Sequence, residues 1–284
     1  MRQITHRIAA NGLSHFIRDS GDEAASAVIL LHGFPDSSSV WDMLTPLLVE
    51  KGHRVIAPDL RGFGETDMAA RVEDYDLRDG AARDVIALMD ALQIERAHLV
   101  GHDFGAALAW SLAAEYPARF FTLSALSVGH PRAFLKAGAE QKRKSFYILV
   151  HQLRGIAEWI YRRNEWAALK RQWTAKADID DAIALLARPG RLTAGLNWYR
   201  ANLPLSRMVR PPQLGEMGEE IVRIPALGVW PDGDKYLTEK QMMLSSDYVE
   251  APWTYARLEG SSHWLQLDKP QETAALLARH CAAR

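Results

Sequence analysis

The sequence predicts an α/β protein: a mostly parallel sheet with helices on both faces and one helical segment inserted between two parts of the sheet. Three observations predict it. Short apolar runs alternate with helical stretches over 28–127 and again over 224–283, which is the order of a sheet wound with crossover helices. Those runs are nearly continuous in apolar residues, as strands buried on both faces must be. Between about 130 and 222 no such run occurs, and the stretch reads as several helices.

The elements follow in order. Residues 4–9 and 13–18 flank Asn11-Gly12, a dipeptide that between short alternating runs signals a hairpin. Val28 to Leu31 is a strand that ends at Gly33-Phe34-Pro35. Residues 38–50 read as a helix, and 54–57 as a strand ending at Pro58-Asp59. Leu77, Ala81, Val85, Leu88 and Leu92 recur at helical spacing over 76–93. A strand is expected at 97–101, a helix at 104–116 stopped by Pro117, and a strand at about 120–127. Alternation resumes with a strand at 224–230, a helix at 239–248, a strand at 253–258 and a closing helix at 271–283. Pro211-Pro212 and the Gly/Glu-rich run at 215–220 read as the return linker. The expected organisation is a core of 1–129 and 223–284 with a helical segment at 130–222.

Composition limits the function classes. The chain has 284 residues, 48% of them hydrophobic and 24% charged, which is ordinary for a globular protein and excludes a disordered chain. A net charge of −1 gives no reason to expect nucleic-acid or anionic-membrane binding. The segment 130–222 holds 16 Lys and Arg against 9 Asp and Glu, which we read as a solvated helical face. The single cysteine, Cys281, makes no internal disulfide, and no Cys/His cluster has zinc spacing. No run of 18 apolar residues occurs, and Met1 to His6 lacks the apolar core of a secretory signal. A cytoplasmic protein that does not cross a membrane is expected. The oligomeric state stays open, a homodimer included.

The chemistry centres on Gly101-His102-Asp103-Phe104-Gly105, which follows a strand and opens a helix. This is the frame of a nucleophile elbow with Asp in place of Ser. Glycines on either side let neighbouring backbone approach the strained turn. An Asp there sits at a helix N-terminus, whose dipole favours its charge. An ionised carboxylate can attack carbon and form an ester. His32-Gly33-Phe34-Pro35 after the first parallel strand is placed to supply an oxyanion N–H from Phe34, and Phe104 supplies a second. Gly260-Ser261-Ser262-His263-Trp264 puts a histidine base after a strand. Trp230-Pro231-Asp232-Gly233-Asp234 offers two candidate acids to orient it. Nucleophile, acid and histidine thus follow three strands and meet at one sheet edge, where open α/β sheets bind ligands.

With these motifs, together with Asp59-Leu60-Arg61-Gly62-Phe63-Gly64 and Asn197-Trp198-Tyr199-Arg200, the chain resembles the epoxide hydrolases of the α/β-hydrolase superfamily, which are related to the haloalkane dehalogenases. The resemblance covers nearly the whole chain. It implies an α/β-hydrolase fold in which 130–222 is a lid. It also implies that Asp103 opens an epoxide to an ester that water, activated by His263, hydrolyses to a diol, with no metal or organic cofactor. Asp234, in a Gly-Asp-x-x-Leu setting with Leu237, is the implied acid. Tyr199 matches one of two lid tyrosines that hold the epoxide oxygen. The other falls at Val150 when Gln152 and Gly155 are matched, but Tyr147, three positions earlier, shares that helical face. Trp198, Trp264 and His151 are further candidates to line the substrate site. Phe104 replaces the tryptophan that helps dehalogenases hold halide, and a phenyl ring has no N–H to donate. A haloalkane dehalogenase and a non-catalytic small-molecule receptor are the alternatives. The expected partners are an epoxide and water.

Overall fold

Both residues of the Asn11-Gly12 turn have positive φ, 47° and 77°, as a type I′ hairpin demands. Strands β1 (Gln3–Ala10) and β2 (Leu13–Ser20) pair antiparallel across it. The computed structural model describes residues 3–175, 177, 179–206 and 220–282. Six further strands complete the sheet: β3 (Ser26–Leu31), β4 (His53–Pro58), β5 (Ala97–His102), β6 (Phe120–Leu126), β7 (Ala226–Pro231) and β8 (Trp253–Leu258). Their order is β1-β2-β4-β3-β5-β6-β7-β8, parallel from β4 through to β8. The order reverses at β3, which has β4 on one side and β5 on the other. Ligands of open α/β sheets sit at such a switch point.

Alternation along each strand builds two cores. Val28, Leu30, Val55, Ala57 and Val100 face one side, whereas Ala27, Ile29, Leu31, Ile56 and Leu99 face the other, the period-two rule of a pleated strand. Helices α1 (Thr45–Glu50) and α11 (Pro270–Ala282) cover the first side with Leu48, Ala274 and Leu277. Helices α2 (Arg83–Ala91) and α3 (Phe104–Glu115) cover the second with Val85, Leu88, Leu108 and Leu112.

Three predicted helices are shorter than expected. The 38–50 stretch divides into a 3-10 turn, Ser38–Trp41, and α1, with Pro46 in the first turn of α1. The 76–93 stretch opens with a π-helical turn, Leu77–Ala82, capped by the Asp76 carboxylate. The 239–248 stretch is α10 (Glu239–Met243) followed by a 3-10 turn, Leu244–Tyr248.

Between β6 and β7 lie α4 (Pro131–Lys136), α5 (Ala139–Lys144), α6 (Tyr147–His151), α7 (Ile156–Gln172), α8 (Asp180–Ala187) and α9 (Arg191–Asn202). No strand occurs among the described residues of this segment. Helix α7 is kinked where Asn164, Glu165 and Trp166 take positive φ. The Arg200–Glu158 pair, 2.9 Å, with Arg200 buried and Glu158 partly so, ties α9 to α7, and Gln152 ties α6 to the Tyr199 and Leu203 carbonyls. Pro211-Pro212 and residues 215–219 of the expected linker lie outside the described residues. No helix among the described residues is long and apolar enough to cross a membrane.

Close packing at the elbow makes one glycine a sharp test. A Cβ on Gly105 would run into the Leu31 and His32 carbonyls. Backbone cannot swing away as a side chain can, so Gly105→Ala should lower the unfolding free energy by about 3 kcal/mol or more. Urea denaturation followed by circular dichroism checks this.

Candidate active site

Asp103 stands between β5 and α3 with φ 53° and ψ −123°. A non-glycine residue rarely holds that conformation, which costs roughly 1–3 kcal/mol and persists where surrounding structure enforces it. Here Gly105 packs on the end of β3 and Gly33 packs on Asp103 itself. Leu31 is in register with Gly101, so the loops after β3 and β5 emerge side by side. The Phe34 N–H consequently donates to Asp103 Oδ1 at 3.0 Å. Phe104 opens α3, where the first N–H groups lack partners within the helix. His32 is structural: its ring bonds the Gly33 carbonyl and accepts from the Leu60 N–H at 3.0 Å.

The other Asp103 oxygen, Oδ2, lies 3.5 Å from His263 Nε2. On the far side of that ring, His263 Nδ1 lies 2.7 Å from Asp234 Oδ2. The Tyr236 and Leu237 N–H groups bond Asp234 Oδ1 at 2.8 and 3.0 Å, so both carboxylate oxygens are occupied and oriented. Asp232 instead accepts from the Gly260 N–H at 2.8 Å and lies 3.9 Å from Arg257. It shapes the turn and does not reach the histidine.

The charges are coupled. Burial opposes the His263 cation, but the Asp234 and Asp103 carboxylates outweigh it and push its pKa up to about 10. Burial likewise opposes charge on Asp103, yet the His263 imidazolium and the Phe34 N–H hold its carboxyl below the usual carboxylate range. His263 thus stands in a row between Asp103 and Asp234, an arrangement that favours its protonated form.

Above Asp103, Tyr147 and Tyr199 face each other with ring centroids 6.1 Å apart. Burial, with the neighbouring phenols and Asp103, drives both pKa values well above 10, so both hydroxyls stay protonated. Val150 lies on the same short helix, but Tyr147 is the residue that lines the site. Asp103, Tyr147 and Tyr199 bound two cavities. One, of about 290 Å³, has a largely apolar wall that includes Phe134, Leu135, Ile148 and Leu203. The other, of about 30 Å³, is walled by His263, Trp264, Tyr236, His151, Leu169 and Trp173 among others.

Of the remaining candidates, His151 and Trp264 line the small cavity. His151 is hydrogen-bonded to the Tyr161 hydroxyl at 2.6 Å, and burial lowers its pKa to about 3, which keeps it neutral. Trp198 is a correction. It lines neither cavity; it is fully buried against Phe63 and Phe104, and its indole N–H donates to the Arg61 carbonyl at 3.1 Å. Its neighbour Tyr199 lines both cavities. Arg61 reaches out of its own loop and forms a two-pronged bond to Asp84 in the first turn of α2, at 2.7 and 2.6 Å.

Sequence reasoning missed four neighbours. Tyr236 packs 5.3 Å from the His263 ring. Lys144 donates to the Asp234 and Leu237 carbonyls at 2.7 and 3.2 Å. His102 and Ser127 both donate to the His263 carbonyl, at 2.9 and 2.8 Å. Of these, His102 lies within the elbow motif and Tyr236 within the Gly-Asp-x-x-Leu stretch, whereas Lys144 and Ser127 carry no local signal. Asp36, directly after the His32-Gly33-Phe34-Pro35 motif, accepts from the Trp264 indole N–H at 3.0 Å, and burial pushes its pKa up to about 8.

Sheet order, elbow and edge together define an α/β hydrolase. The chain belongs to the alpha/beta hydrolase family, whose family model matches residues 28–276. Among curated proteins it is 29% identical to epoxide hydrolase A of Mycobacterium tuberculosis, covering 95% of each chain. It is also 29% identical to epoxide hydrolase 4 of Mus musculus, over 95% of this chain and 77% of that one. Among solved structures, epoxide hydrolase A from Mycobacterium thermoresistibile superposes with a TM-score of 0.79 and 25% identity over 99% of both chains.

Proposed function

We propose that this protein is an epoxide hydrolase that converts an epoxide and water to a vicinal diol, with the helical segment 130–222 as its lid. The observation that carries the reading is the placement of two protonated phenols, Tyr147 and Tyr199, opposite a fixed carboxylate in one cavity. A carboxylate attacks an epoxide carbon only if the departing oxygen gains a proton, and phenols near pKa 10 or above remain donors at neutral pH. The epoxide hydrolases among the chain's relatives support the same chemistry.

In the first half-reaction Asp103 Oδ2 attacks the less hindered ring carbon, the C–O bond breaks, and a tyrosine donates its proton to the oxygen. The products are a hydroxyalkyl ester and a tyrosinate. Esterification removes the Asp103 charge, one of the two that raise the His263 pKa. His263 then gives its proton, through solvent, to the tyrosinate and becomes a base. In the second half-reaction neutral His263, oriented by Asp234, takes a proton from water. The hydroxide adds to Asp103 Cγ, and charge grows on Oδ1, which already rests on the Phe34 N–H. Phe104 N–H is the second donor in this scheme. The bond from Cγ to Oδ2 breaks, and the His263 imidazolium protonates the departing alkoxide. Transfer of the remaining acid proton from Asp103 back to His263 restores the resting row.

Two measurements test this. Styrene oxide should give diol, while a matched primary bromoalkane should release no bromide. Bromide release would favour the dehalogenase reading. In a single turnover in oxygen-18 water, label should enter Asp103 rather than the diol, because Oδ2 leaves with the product.

The tyrosines should show their role in one half-reaction only. Tyr147→Phe and Tyr199→Phe should each slow ester formation by roughly 10- to 100-fold, and the double variant by about 10³-fold or more. Ester hydrolysis should change little. Rapid-quench mass spectrometry of the Asp103 peptide separates the two rates, and an equal loss in both halves would contradict this assignment.

A further inference from the structure

The two cavities beside Asp103 differ about tenfold in volume, 290 Å³ against 30 Å³. Asp103, Tyr147 and Tyr199 border both, so an epoxide ring held by these three groups sits at their junction, and the substituents on its two carbons must divide between them. A cavity of roughly 150 Å³ lined by apolar groups takes one benzene ring. The large cavity therefore accommodates an aromatic ring with a further substituent. The small one has room for two or three waters, which need roughly 10–15 Å³ each on this measure, and cannot take a ring. It is also the cavity that contains His263, where the hydrolytic water has to stand.

The wall of the small cavity is braced against expansion. Tyr161 hydrogen-bonds His151 at 2.6 Å and Gln172 Oε1 at 3.0 Å. Tyr236 donates to the Gln172 carbonyl. Trp173 packs on Trp264 with centroids 4.2 Å apart. Leu169 is buried and lines the same cavity. A bulky group pushed in here would have to break that bracing and expel the water needed for the second half-reaction.

We infer that this enzyme selects terminal epoxides: one ring carbon carries a single aryl or alkyl arm that fills the large cavity, and the other carries hydrogens that face the small one. The inference rests on the epoxide hydrolase reading and fixes which epoxides that reaction takes. Epoxides with a ring on each carbon are excluded by the bracing of Leu169, Trp173 and Tyr161.

The test compares diol formation from styrene oxide and trans-stilbene oxide, which differ by one phenyl group on the second carbon. The wild-type protein should favour styrene oxide in kcat/KM by roughly 100-fold or more, since overpacking a braced wall is strongly penalised. Leu169→Ala and Trp173→Ala, prepared separately in case one fails to fold, should narrow that ratio by about tenfold or more through a gain in stilbene oxide turnover. Comparable kcat/KM for the two epoxides in the wild-type protein would overturn the size assignment while leaving the epoxide hydrolase reading intact. Unchanged ratios in folded variants of both residues would overturn the role given to the wall. Diol from neither epoxide, with no ester on Asp103, would remove the epoxide reading and the inference with it.

Discussion

Asp103→Asn should fold normally and form no diol, with kcat falling on the order of 10⁴-fold or more. The substitution is nearly isosteric, and the amide oxygen can still accept from the Phe34 N–H that now bonds Oδ1 at 3.0 Å. The conformation at φ 53° is also tolerated, because Asn adopts positive φ more readily than most residues. What disappears is the anionic oxygen 3.5 Å from His263 Nε2. An amide nitrogen is no nucleophile toward an epoxide carbon, so the first half-reaction stops. Circular dichroism and a diol assay with styrene oxide check both parts. Activity above about one hundredth of wild type would require another nucleophile.

His263→Gln should behave differently: it should form the ester and fail to release it. Glutamine keeps polar contact with Asp234 but cannot take a proton from water, so the second half-reaction should slow by roughly 10³-fold or more. Intact-protein mass spectrometry after mixing with epoxide should show a gain of one epoxide mass, located on the Asp103 peptide. The wild-type protein should show a pH dependence with the same origin. Its Asp103 carboxyl is held below the usual range, so it is ionised and nucleophilic throughout the neutral region and loses reactivity only as pH falls through that depressed value. Its His263 is raised to about 10 while Asp103 is charged. Neutralising Asp103 lowers it, so ester hydrolysis should rise with pH until it passes the lowered His263 value, while ester formation stays flat. Rapid-quench measurements of each half between pH 5 and 9 separate the two. A pH-independent hydrolysis step would contradict the role given to His263.

Much of the fold is legible because the signals are local. Asn11-Gly12 dictates its own turn, and Pro117 stops the preceding helix because its ring cannot continue it. The continuous apolar strands report burial on both faces through composition alone. The elbow is legible too, since Gly101 and Gly105 frame a residue whose backbone must be strained. Where the readings failed, either a local cap or a second element was the cause. The 76–93 helix opens as a π turn around the Asp76 cap, a local preference that apolar periodicity does not record. Trp198 and Tyr199 are adjacent on one helix, yet one lines the site and the other packs in the core. Which is which depends on the rotation of α9, fixed by the Arg200–Glu158 pair across to α7.

The sequence by itself determined the kinds of groups present and the edge they share, because each follows a strand and strand ends gather on one side of a parallel sheet. The meeting of Tyr147 with Tyr199, the turning of Tyr199 rather than Trp198 toward the site, and the inequality of the two cavities were decided only by tertiary structure. Each depends on distances between elements far apart in the chain. Tyr236, Lys144, Trp173 and Leu169 set those distances by packing and by hydrogen bonds to backbone carbonyls. A carbonyl is the same at every position, so no residue pattern announces it.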